Sequence, residues 1–386
     1  MQNIYFDHAA AAPPAPEVLE AMLPFFQEHF GNPASLHEGG KVPNSAVKNS
    51  REQIANFTGG TPEEIFFTSG GTESNNLLIK GIARARQKKG RHIITSSVDH
   101  YSVHHPCKTL SKEGFEITML PVDRFGTVDP ESVKAAIRDD TILISLMLAN
   151  NEVGTVQPVA EISETAREKG ITMHTDAVMA LGRIPVSVEE LGVDALSFSA
   201  CQFYGPLGAG GFYLKKGTRC LPLIEGGTQQ SGKRAGTENV PGIVGMGKAA
   251  ELAAGRLDAD IKKLTGMQKR LWEELPRRIP DILLTGHPEK RIPGHVSLCV
   301  EFIEGEGMLL FLMMEGFSVA SGSACTSLAL KSSYVLEAMK VPTAIAQGSL
   351  VVTLGRGNTM EEIDKFLETL PPIIQRLREM SPLYNK

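Results

Sequence analysis

Between Ile65 and Leu214, short apolar runs alternate with helix-length amphipathic stretches, and that alternation leaves few folds open. IFFT (65–68), HIITS (92–96), FEITMLPV (115–122), TILISLML (141–148), ITMHTDA (171–177) and ALSFSA (195–200) read as strands. Segments 73–87, 130–138 and 159–168 between them have helical spacing. Repeated strand–helix units of this kind predict an α/β domain with a mainly parallel sheet. In such sheets ligands gather at the carboxyl ends of the strands.

Beyond Gly247 the pattern changes to a long helical stretch running toward Glu274, then strand-like HVSLCVEF (295–302) and a closing helix over 360–380. The expectation is a large domain over 15–255 and a small α/β domain made from 1–14 and 256–386. AAAAPPAP (9–16) leads into a helix near Pro16, since proline is tolerated in a first turn.

A chain of 386 residues with 42% hydrophobic residues can fill two cores. The net charge of -5 and the lack of a Lys/Arg block argue against nucleic acid as a partner. MQNIYFDHAAAAPP has neither a basic nor an apolar leader region, and no stretch is long and apolar enough for a membrane span, so the expected location is cytoplasmic. The five cysteines (Cys107, Cys201, Cys220, Cys299, Cys325) have no CxxC spacing and describe neither a disulfide framework nor a structural zinc site.

Two stretches carry site chemistry. Thr68-Ser-Gly-Gly-Thr-Glu-Ser-Asn-Asn76 follows a strand and opens a helix, where glycines, free N–H groups and the Thr72 hydroxyl suit a phosphate. An ordinary strand-to-helix turn has the same look. His174-Thr-Asp-Ala177 puts Asp176 at a strand end, where a carboxylate can keep a pyridine nitrogen protonated or simply cap a turn.

In order along the chain stand GNPASLH (31–37), TSGGTESNN (68–76), NNEVGTVQP (150–158), HTDA (174–177), SFSA (197–200) with FYGPLGAGG (203–211), RAGTENVPGIVG (234–245), SGSACTS (321–327) and TLGR (353–356). This series resembles the NifS/IscS cysteine desulfurase family, class-V aminotransferase-like proteins of fold type I that use pyridoxal 5'-phosphate (PLP). The resemblance implies a PLP-dependent transferase fold and a homodimer. It assigns Gly71, Thr72 and Ser199 to the cofactor phosphate, with Thr237 reaching it from the other subunit. It assigns His100 to the face of the pyridine ring, Asp176 to its nitrogen, and Asn151 and Arg356 to the substrate, L-cysteine or a related amino acid. An Arg suits a bidentate grip on a carboxylate, though a surface ion pair would also use it. His100 and His104, spaced i,i+4, are too few for a convincing metal site. Cys325 resembles the thiolate that accepts sulfur as a persulfide. By the same resemblance it serves an IscU-like scaffold during iron–sulfur cluster assembly, as carrier or as ligand of a transient cluster.

The chain departs from this family where the reaction occurs. His-Lys of the family motif is Cys201-Gln202 here, and an amide nitrogen is not basic and forms no Schiff base. Met179 stands where the family has a glutamine that hydrogen-bonds the phenolic oxygen of PLP. His8-Ala-Ala-Ala-Ala12 replaces a polar segment near the substrate. Lys215 and Lys216 are too far along the chain to substitute for the missing amine. The companions Met179 and Cys201 argue against Gln202 as a single designed change. Three readings remain: a desulfurase holding PLP without a covalent link, a non-enzymatic partner offering Cys325, and a PLP enzyme redirected to another amino acid.

Overall fold

A computed structural model describes residues 3–322, 332–382 and 384. Its strands are β1 (Ile4–Tyr5), β2 (Ile65–Thr68), β3 (His92–Ser96), β4 (Glu116–Leu120), β5 (Thr141–Met147), β6 (Thr172–Asp176), β7 (Ala195–Ser199), β8 (Gly210–Leu214), β9 (Ile282–Thr285), β10 (His295–Val300), β11 (Phe317–Ser318) and β12 (Ser349–Thr353).

Seven strands form the large sheet in the order β2-β8-β7-β6-β5-β3-β4. Only β8 runs antiparallel to its neighbours, so the mainly parallel α/β sheet read from the apolar runs is present. β5, β6 and β7 are buried along their whole length, which is why β5 and β7 show no clean in-out alternation, while β6 buries polar side chains as well. One face carries a core that includes Val47, Ile54, Phe198 and Met246, and the other carries Leu77, Ile82, Val103 and Phe212.

A second sheet, β12-β10-β9, is antiparallel, and β1 pairs with β11 beside it. Ile4 and Phe6 thereby join Leu298, Leu350 and Phe366 in a separate core. Helix Val240–Arg278 spans both units: Val240 to Ala253 face the first core, Leu264 to Leu275 the other. It starts seven residues before the expected point, because Asn239 caps it and Pro241 sits in its first turn. Helix Met360–Met380 agrees with its expected limits and opens on a Thr359/Glu362 capping box. Among the described residues no helix is long and apolar enough to cross a membrane.

Candidate active site

The carboxyl ends of β5, β6 and β7 and the start of helix Gly71–Arg86 surround a cavity of about 430 Å³. Its wall contains Gly71, Thr72, His100, Asn151, Asp176, Met179, Ser199, Cys201 and Gln202, residues separated by up to 131 positions in the chain.

At one end the backbone approaches the cavity without side chains. Gly70 has φ 156° and ψ -178°, a conformation that essentially only glycine adopts. A Cβ on Gly71 would fall 2.4 Å from Cγ2 of Val178. These two glycines open the helix, leaving N–H groups of its first turn directed at the cavity end. Ser74 Oγ fixes the turn by donating to the carbonyls of Gly70 and Gly211 at 3.0 and 2.9 Å.

Asp176, at the end of β6, accepts from Val178 N at 3.0 Å and from Asn75 Nδ2 at 2.6 Å. Burial pushes its carboxyl above the usual range, with the Val178 amide and the His100 imidazole pulling the other way. Asn75 Nδ2 also donates to Ser102 Oγ at 2.8 Å, and Ser102 Oγ lies 2.8 Å from Nδ1 of His100. One chain of contacts therefore positions both Asp176 and His100. Next to it, Asp99 accepts from Ser96 N and Met147 N at 2.7 and 2.6 Å, pinning the His100 segment to the ends of β3 and β5.

Position 202 lies in a short helical turn after β7. The Gln202 side chain is 4% exposed; its Nε2 donates to the Ala9 carbonyl at 2.9 Å, and its Oε1 lies 3.5 Å from Nη2 of Arg183. Cys201 Sγ is 3.3 Å from Ser199 Oγ. Burial pushes the Cys107, Cys220 and Cys299 thiols up to about 12, whereas Cys201 is half-buried at the cavity wall. Asn151 presents a buried Oδ1 that has no hydrogen-bond partner among the described residues. Glu152, also in the wall, accepts from Ser333 Oγ, and burial raises its carboxyl to about 7.

Two residues expected at the site lie elsewhere in this chain. Arg356 pairs with Asp260 at 2.8 Å and stacks on Tyr204, 4.4 Å from the ring centroid, and it is not part of the cavity wall. Thr237 borders a second recess of about 220 Å³ with Ser69 and Arg234. Lys215 lies 4.0 Å from Asp194, and neither it nor Lys216 reaches the cavity. The His104 ring approaches the Ser96 carbonyl at 2.8 Å, and no metal-binding cluster occurs among the described residues. Cys325 lies outside the described residues.

Asn75, Asp99, Ser102, Glu152 and Arg183 were not singled out from the sequence. Asn75 and Glu152 stand inside recognised blocks, which was a usable signal. Buried hydrogen-bond partners 101 positions apart, as Asn75 and Asp176 are, leave no periodic trace.

The aminotransferase class-V family pattern matches residues 4–366. A cysteine desulfurase IscS of Dictyoglomus turgidum is 51% identical over 381 residues, covering 99% of this chain and 97% of the relative. A cysteine desulfurase IscS of Methanosarcina thermophila is 50% identical over 383 residues, covering 99% and 95%. Among solved structures, a NifS-like protein superposes with a TM-score of 0.92 at 38% identity, covering 97% of this chain and 100% of that one. SspA in complex with cysteine superposes with a TM-score of 0.81 at 33% identity, covering 91% and 98%.

Proposed function

The chain belongs to the aminotransferase class-V family, as a homologue of the IscS/NifS cysteine desulfurases, and from that premise we propose that it serves iron–sulfur cluster assembly with a PLP held non-covalently. The observation that carries this reading is Gln202: the position that holds the Schiff-base lysine in the family is occupied by an amide already bonded to Ala9 and set beside Arg183.

The remaining wall suits the cofactor. Gly71, Thr72 and Ser199 would receive its phosphate, and Cβ-free backbone at Gly70–Gly71 leaves the room for it. Asp176, a buried carboxylate with no lysine or arginine among the described lining residues, would pair with the pyridine nitrogen, and His100 would lie against the ring. Bound there, PLP supplies an electron sink for the substrate carbon. Asn151 offers its free Oδ1 to the substrate end. Met179 brings no hydrogen to the phenolic oxygen, and Gln202 neither accepts nor delivers a proton near neutral pH.

In this reading turnover from L-cysteine is slow or absent, and Cys325 works as cluster ligand on an IscU-like scaffold or as persulfide carrier, its thiolate taking the outer sulfur of a donor persulfide and releasing the donor as a thiolate. The protein is a cytoplasmic homodimer in which Thr237 completes the partner's phosphate site, which accounts for its distance from the cavity of its own chain. Arg356 grips the substrate only by leaving Asp260. Residues 15–255 form the large unit, and 1–14 with 256–386 the small one. The redirected-enzyme reading is not favoured by relatives at this level of identity.

The test is the visible spectrum of purified protein with and without added PLP and L-cysteine, followed by a sulfide assay and by cluster assembly with an IscU-like scaffold. Cofactor absorbance, little sulfide and Cys325-dependent cluster assembly support the reading. Rapid sulfide release by the wild type would sink it.

A further inference from the structure

The charges around the cavity are lopsided. Asp7, Glu152 and Asp176 line it, and no lysine or arginine answers them among the described lining residues; His100 is the only base. A cation stands directly behind the wall.

Arg183 is 8% exposed. Its Nη2 donates to the His8 carbonyl at 2.5 Å and lies 3.5 Å from Oε1 of Gln202. Its Nε is buried without a hydrogen-bond partner, and among the described residues it forms no ion pair. Burial pulls its pKa down, and only Tyr204 and Cys201 oppose that. Guanidinium nevertheless stays charged, because its starting value is so far above neutrality. A desolvated charge facing only neutral acceptors is unfavourable unless an anion completes it.

The local chain explains where such an anion would be. Residues 177–184 coil in tight turns, with Leu181 N bonded to Ala177 O and Arg183 N to Ala180 O. Arg183 therefore follows Met179 by one turn, and Met179 faces the cavity. Gln202 turns its carbonyl end to the guanidinium and its amide hydrogens to Ala9. A lysine at 202 would instead set a second positive charge against the first.

We infer that Arg183 is the buried counter-charge for an anion at the reactive end of the cavity, the phenolic oxygen of a pyridoxal-type cofactor. It supplies through space what Met179 and Gln202 no longer supply by contact. This inference rests on the cofactor reading above.

The experiment titrates PLP and its 3-deoxy analogue, which lacks the phenolic oxygen, into cofactor-free wild type, Arg183→Met and Arg183→Lys at neutral pH, where that oxygen of PLP is already ionised. The wild type should prefer PLP over the analogue about tenfold. Arg183→Met should lose most of that preference, and Arg183→Lys should keep most of it. A merely structural arginine would change thermal stability and leave the preference where it was. A folded Arg183→Met protein with the wild-type preference overturns the inference while leaving the cofactor reading intact. If Arg183→Met does not fold, the wild type decides: equal affinity for PLP and the 3-deoxy analogue overturns it. A wild type that binds no PLP removes the cofactor reading, and the inference with it.

Discussion

Gln202 and Ala9 are joined by a 2.9 Å hydrogen bond from the amide nitrogen to the backbone carbonyl, which makes the residue at the family's lysine position a strut for the N-terminal segment. The Ala12 amide donates to Cys201 O at 2.8 Å, and the Ala15 amide to Tyr204 O at 3.0 Å, so the same turn holds that segment at three points. The reactive position has become part of the wall.

Gln202→Lys should therefore restore a yellow, covalently attached cofactor while giving weak sulfide release. The new ammonium would lie near Arg183, and like charges depress its pKa. Met179, Ala9 and Ala10 still leave the reactive end without donors. Each hydrogen bond missing from a charged group costs on the order of 1.5–3 kcal/mol. The check is absorbance together with a sulfide assay; sulfide release at rates typical of an efficient enzyme would mean that residue 202 was the only defect.

Asn75→Ala should weaken PLP binding more than it destabilises the protein. The substitution removes the 2.6 Å donor to Asp176 and, through Ser102, the link to His100. A lost bond to a buried carboxylate is worth about 1.5–3 kcal/mol, which is roughly a tenfold to hundredfold change in affinity. Equilibrium titration with PLP measures it, and an unchanged affinity would separate Asn75 from cofactor binding.

Glu152 gives a pH prediction with a definite sign. Burial raises its folded-state value to about 7 from an ordinary 4.5, with the Ser333 hydroxyl partly offsetting the shift. Between those values the unfolded chain has released the proton and the folded chain keeps it, so this group lowers stability as pH rises through that window. The whole effect is at most about 3 kcal/mol. Glu152→Gln should flatten that decline. The measurement is denaturant unfolding of both proteins from acid to neutral pH; curves that stay parallel would contradict the assignment.

The parallel sheet was legible because β5 and β7 are buried along their whole length and mostly apolar, although buried β6 carries Thr172, His174, Thr175 and Asp176. Helix Glu38–Thr58 was not, since EGGKVPN looks like a turn; Pro43 lies inside that helix and is buried, while Val47 and Ile54 supply its core contacts. Most site residues carried by recognisable blocks line the one cavity, while Thr237 borders the separate recess. Arg356 is an exception, because the spacing of TLGR says nothing about Asp260, 96 positions away. Arg183 was invisible for a different reason: a buried charge without a partner is a property of packing, and its one sequence clue was its four-residue distance from Met179.

Cys325→Ala should leave PLP binding and dimerisation unchanged and abolish persulfide transfer or cluster assembly on an IscU-like scaffold. Cluster formation followed by absorbance with the wild type and the variant side by side tests this. Equal rates would remove both the carrier and the ligand roles.

The most direct test of the central claim is borohydride reduction of the protein saturated with PLP, followed by peptide mass spectrometry. The account predicts cofactor absorbance that is lost on dialysis and no lysine labelled stoichiometrically, only the scattered trace labelling that exposed amines give with free PLP. One pyridoxyl group per chain on a single lysine, at Lys215, Lys216 or any other position, would contradict it.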